Sequence, residues 1–247
     1  MEVHHHSHTA RKKWTHYFWE FLMLFLAVFC GFLAEYYLEH TIEHNREKQF
    51  IGSLFKDIEA DIDQLSKIRS YRLDRMDKID SVNKHLTGNS KNSISTQSLS
   101  YIEGLKGHFS FYQTSGTLDQ LKNAGGLRLI RNRKVVDSIQ SYDQQIRRMY
   151  LRDNYEAEEM RYTVRLAYKL INGIDLATLY SDTTYFYNYS LRPGTSATVA
   201  LHKEYLGEYL NSLNTFRFVV FSNMVLQDNI KQKAENLLAT IKKTYRL

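Results

Sequence analysis

The sequence predicts an all-α protein: one N-terminal transmembrane helix followed by an elongated antiparallel four-helix bundle. Three observations carry this. The 247 residues contain a single proline, Pro193, so nothing forces a break in long helices over most of the chain. Phe21 to Ala34 is an unbroken apolar run. After it, apolar residues recur at helical spacing rather than in alternation. The single Cys30 excludes an internal disulfide framework and a cysteine zinc site. A formal charge of +6 is a weak pointer to anionic partners.

The elements follow in chain order. Residues 1–13 form a polar tail with His4, His5, His6, His8, Arg11, Lys12 and Lys13. A flexible histidine tract of this kind makes a loose metal site at best, and the expectation is no metal. Residues 14–38 are the anchor. Trp14, Tyr17 and Trp19 at one end, and Tyr36 and Tyr37 at the other, suit the two membrane interfaces. Tyr17 to Tyr37 spans roughly 30 Å as a helix, the thickness of the hydrocarbon layer. Phe32 is too large for the position three residues before a cut after Ala34, so an uncleaved signal anchor is expected. The basic cluster before the anchor, against Glu35, Glu39 and Glu43 after it, places the N-terminus in the cytoplasm. That puts residues 39–247 outside the cytoplasm, on the periplasmic face of a bacterial inner membrane.

In the exported part, Ile51, Ile58, Leu65, Ile79 and Leu86 share one seven-residue repeat, broken only by Arg72. Leu54, Phe55, Ile62, Ile68, Met76 and Val82 fill the neighbouring stripe. This is a one-faced amphipathic helix ended by Thr87-Gly88. A Ser/Asn/Thr-rich loop over 87–97 follows, then a glycine-punctuated stretch with short helices near 98–107 and 115–124. Asn132 caps a long helix that closes at Asn172-Gly173. A tyrosine-rich loop occupies 179–198, and a last helix runs from about 201 to 244. Helices this long must bury their stripes against one another, with the broken 98–131 segment as the fourth element of an up-down-up-down bundle.

Two segments, His4 to Phe50 and Ser115 to Ile146, together resemble a family of bacterial single-pass membrane proteins of unknown function. The first matches its N-terminal anchor. The second carries Leu129-Ile130-x-Asn132 followed by a helix. The resemblance covers about a third of the chain. It implies an anchored helical extracytoplasmic domain and supplies no catalytic residues to carry over.

Candidate sites are few. Glu20 is an ionisable residue at the edge of the span, able to couple to protons or to pair with a nearby base. Ala27 with Gly31, and Cys30 with Ala34, are small-xxx-small pairs that let membrane helices pack closely. His40-Thr41-Ile42-Glu43-His44 matches an inverted zinc-protease spacing but lacks a third ligand. Tyr112, Arg128 and Arg131 mark a possible ligand or partner surface in the glycine-rich stretch, and Tyr185 and Tyr187 another in the tyrosine loop. No nucleotide loop, nucleophile elbow or nucleic-acid module is present in the sequence.

The reading is a non-enzymatic membrane-anchored scaffold or accessory subunit of a bacterial cell-envelope complex. Its expected partners are membrane lipid, further copies of itself or other envelope membrane proteins, with no cofactor and no nucleic acid. Two alternatives stand beside it: a ligand-sensing bundle that signals through a partner, and a proton- or ion-coupled subunit that uses Glu20.

Overall fold

The computed structural model describes residues 14–88, 92–123, 125–174 and 198–246. Among them are five α-helices and one two-stranded ribbon: α1 (Trp14–Thr87), β1 (Ser93–Ser95), α2 (Thr96–Glu103), α3 (Gly116–Asn123), α4 (Arg133–Leu170), β2 (Thr198–Ala200) and α5 (Leu206–Tyr245). The expected loop at 87–97 thus gives up three residues to β1, and the expected loop at 179–198 gives up its last, Thr198, to β2; both strands are too short to leave a periodic signal. The chain divides into two compact units between Phe50 and Ile51.

The first unit is helical from Trp14 on and contains a segment long and apolar enough to cross a membrane. Its large side chains are exposed around the whole circumference; between Trp14 and Leu38 only Leu22 is half-buried. Phe21, Phe25 and Phe29 stack one above the next along a single face, at about 6 Å between ring centres.

In the second unit two heptad stripes of α1 are buried. One is Ile51, Ile58, Leu65, Arg72, Ile79 and Leu86; the other is Leu54, Asp61, Ile68, Arg75 and Val82. Phe55, Ile62 and Met76, expected on the second stripe, are half-buried at its edge. α4 buries Val135, Ile139, Tyr142, Ile146, Met149, Met160, Ala167 and Leu170, and Val164 packs at its margin. α5 buries Tyr209, Leu213, Phe216, Val220, Met224, Ile230, Ala234, Leu237 and Ile241.

The caps follow the side chains. Asn132 accepts from the N–H groups of Lys134 (3.0 Å) and Val135 (3.4 Å) at the start of α4, and Ser95 Oγ accepts from Ser98 N–H at the start of α2. β1 and β2 pair antiparallel with Ile94 opposite Val199, both buried, closing the end of the core with α2. Leu201 N–H donates to Asn92 O, and His202 N–H to Leu170 O, tying the ribbon to the end of α4. Polar pairs also link the long helices. Arg69 meets Asp228 at 2.6 Å, Arg217 meets Asp80 at 2.6 Å, and Asn83 meets Asn214 at 3.1 Å. Between α4 and α5, Lys233 meets Ser141 at 2.8 Å, and the hydroxyls of Thr163 and Ser212 lie 2.7 Å apart.

The glycine-rich stretch resolves into three parts. Residues 107–115 are a strap without helix or ladder, α3 follows, and a 3-10 turn over Gly126–Leu129 leads into Asn132. Gly125 sits at φ 63°, where a side chain would be strained, and this lets the chain leave α3 and enter the turn.

Candidate functional site

The polar residues inside the two buried stripes of α1 are not scattered. Arg72 donates from Nε to Glu156 (3.0 Å), from Nη1 to Gln227 Oε1 (2.7 Å) and from Nη2 to Asp153 (2.5 Å). Arg75, one turn on, donates from Nη1 to Glu156 (3.1 Å) and from Nη2 to the Tyr71 hydroxyl and the Gly107 carbonyl. Asn223 donates to Glu156 at 2.7 Å, and Gln227 to the Leu65 carbonyl. Arg72, Arg75 and Glu156 are each only 1% exposed.

Burying an ion costs several kcal/mol, so such a group persists only when charge and hydrogen bonds are both matched. Here two guanidiniums face two carboxylates, Asp153 and Glu156, and the cluster is neutral. It joins α1, α4 and α5 at one level. The Arg75 guanidinium also lies 5.3 Å from the centre of the Phe216 ring, a cation–π distance.

The strap is bound to the same cluster. Phe111 N–H donates to Asp153 (3.1 Å) and Gln113 N–H to the Tyr150 hydroxyl (3.1 Å), both on α4. Tyr112 N–H donates to Gln64 (2.6 Å) and Thr114 N–H to Asp61 (2.7 Å), both on α1. Alternate N–H groups therefore face opposite helices, as in an extended strand, with side chains supplying the acceptors that a sheet would otherwise provide. The ring of Phe111 is fully buried beneath. Asp61 also accepts from Tyr142 OH at 2.7 Å. Burial holds the Asp61 carboxyl above its ordinary range despite the bonds from Thr114 and Tyr142, and burial with the nearby Asp61 charge holds the Tyr142 phenol protonated.

Beside this, α1 and the strap enclose an open cavity of about 510 Å³, with Lys67, Ile68 and Tyr71 on one side and His108, Phe109 and Tyr112 on the other. Tyr71 and Phe109 meet edge to face at 4.4 Å. Both ring nitrogens of His108 are buried and lack a hydrogen-bond partner among the described residues. Burial holds its imidazole below the ordinary histidine range; Glu156 and Asp153 oppose this shift, and Arg75 and Arg72 reinforce it.

Of the residues singled out from sequence, Tyr112 lines this cavity and is 72% exposed. Arg128 and Arg131 are exposed around the 3-10 turn and do not line it. Tyr185 and Tyr187 lie outside the described residues, as does the histidine tail. Glu20 pairs with His16 at 3.1 Å. Ala27, Cys30, Gly31 and Ala34 are exposed, and a methyl group added at Gly31 would meet nothing within 4 Å. His40 packs against Tyr36, with ring centres 4.2 Å apart, and His44 meets Glu47 at 3.4 Å; no group of three metal-binding side chains occurs among the described residues.

Sequence reasoning missed Asp61, Arg75, Asp153, Glu156, Asn223 and Gln227. The signal was Arg72, which interrupts an otherwise apolar repeat. Asp61 and Arg75 fall in register on the second stripe, seven residues on from Leu54 and Ile68. The chain matches no family model, no curated protein and no solved structure.

Proposed function

We propose that this protein is a membrane-anchored, non-enzymatic helical module of the bacterial cell envelope, acting as a scaffold or accessory subunit. The observation that carries this is the apolar segment Trp14–Leu38, whose large side chains are exposed on every face. A lipid environment removes that surface from water. The N-terminus lies in the cytoplasm and the helical part outside it, in keeping with the basic cluster that precedes the span. Kinship with the single-pass family described above belongs to the same proposal.

The exported part is an antiparallel bundle in which the 98–131 segment takes the fourth position. The cross-helix pairs support this. As residue numbers rise on α1 through 69, 80 and 83, their partners on α5 fall through 228, 217 and 214. Partners on α4 instead rise with α1, from Asp61–Tyr142 to Arg75–Glu156. The small residues Ala27, Gly31 and Ala34 give the span a face for packing against a second copy or another envelope protein. Glu20 makes an interfacial polar contact with His16, at 3.1 Å, and this supports a structural role for it rather than that of a proton carrier.

Gentle extraction from native membranes, sizing of the complex and mass spectrometry of its components test the reading. A stoichiometric assembly with other envelope proteins is expected. A lone monomer would count against the accessory-subunit role.

A further inference from the structure

We propose that the cavity between α1 and the strap binds a small planar aromatic molecule bearing one carboxylate. Its volume, about 510 Å³, falls within the range of small-molecule sites. Its walls supply three aromatic rings, Tyr71, Phe109 and Tyr112, and its floor is the buried side chain of Ile68. Phe109 and Tyr112 are 57% and 72% exposed, so two large faces stand ready for offset or edge-to-face stacking. An apolar planar body fits such walls.

The charge of the ligand follows from what else lines the cavity. Lys67 is there, and among the described residues no carboxylate lines it. Among the described residues Lys67 pairs with Asp63, at 2.6 Å, with both side chains more than 60% exposed. Exposed pairs of this kind are weak, so the ammonium can turn to a ligand at little cost. His108 points the same way. A buried ring N–H without an acceptor is costly; both His108 ring nitrogens lack a partner among the described residues and His108 lines the cavity, so a ligand oxygen there supplies the missing partner. One carboxylate answers both residues.

The strap makes the site consequential. Its backbone is tied to Asp153 and Arg75, so a ligand wedged against Phe109 and Tyr112 bears on the cluster that holds α1, α4 and α5 together. This holds whether or not the protein is an accessory subunit.

The test is calorimetric titration of the full chain in lipid nanodiscs, blanked against empty nanodiscs. The probes are indole-3-acetate, indole, and cyclohexylacetate. Saturable one-to-one binding is expected, tightest for indole-3-acetate. Lys67→Gln is expected to weaken the acid about tenfold while leaving indole unchanged. The pair Phe109→Ala and Tyr112→Ala is expected to weaken both ring compounds by about tenfold or more, with the melting temperature checked by circular dichroism. The proposal is overturned by an absence of saturable binding, by binding that survives the aromatic substitutions, or by cyclohexylacetate binding as tightly as the aromatic acid. It is equally overturned if Lys67→Gln leaves the acid unaffected, a result that does not depend on the aromatic variants folding.

Discussion

Arg72→Met keeps the volume and the helix propensity of the residue but removes its charge. The substitution deletes three hydrogen bonds, to Glu156, Gln227 and Asp153, at 3.0, 2.7 and 2.5 Å. It also leaves one guanidinium against two buried carboxylates. Breaking a buried ion pair by removing one partner costs about 3–5 kcal/mol, most of it from the charge left behind. That is a large share of the ~5–15 kcal/mol that holds a typical domain together. A second substitution separates charge from contact. Asp153→Asn restores neutrality to the Arg72→Met cluster and keeps a carbonyl oxygen for the Phe111 N–H. The double variant is therefore expected to be less destabilised than the sum of the singles, by about 0.5–3 kcal/mol. Urea unfolding of the full chain in detergent micelles, followed by helical circular dichroism, reads all three variants. A cost below about 1 kcal/mol for Arg72→Met, or strict additivity in the cycle, would refute the claim that this cluster is desolvated and acts as one unit.

Three further predictions use the same assay. Arg217→Gln breaks the ion pair with Asp80 in which both partners are 40% or more exposed; it is expected to cost only about 0.2–1 kcal/mol and to matter less at high salt. Asp61→Leu strands the buried Tyr142 OH, at about 1–3 kcal/mol, and releases the N–H of the exposed Thr114 to water at a smaller cost, whereas Asp61→Asn keeps an acceptor and costs about 1 kcal/mol or less. The Asp61 carboxyl is raised in the folded state, so its ionised form is a penalty relieved as pH falls through that raised value, and Asp61→Asn removes this gain. His108 has the opposite sign. Its folded value is depressed, the unfolded chain binds the proton first, and stability is lost as pH falls below the ordinary histidine value of 6.5. His108→Phe should flatten that loss, and an unchanged profile would remove His108 from the account.

Much of the helix plan was legible in the sequence because long amphipathic helices announce themselves by period. The end of α1 at Thr87, the Asn132 cap and the buried faces of α4 and α5 all follow from spacing and cap chemistry. Short helices expected near 98–107 and 115–124 occur at Thr96–Glu103 and Gly116–Asn123. What was not legible is local structure that depends on distant partners. The strap over 107–115 has no periodicity of its own, since its conformation is set by Asp61 and Gln64 on one helix and Tyr150 and Asp153 on another. The ribbon is three residues on each side and is held by Ile94 and Val199, far apart in sequence. The buried cluster was half visible. Arg72 stood out in its repeat, but Asp153 and Glu156 sit on a helix rich in charge, where nothing local separates a buried carboxylate from a solvated one.

The central claim is that Trp14–Leu38 fixes the chain in a membrane with its helical part outside the cytoplasm. It is tested most directly in bacterial cells expressing the full chain, by alkaline carbonate washing of membranes together with protease treatment of intact spheroplasts. The account predicts that the chain stays in the washed pellet and that residues 51–247 are digested from outside. Release into the supernatant, or full protection until the spheroplasts are broken, would contradict it.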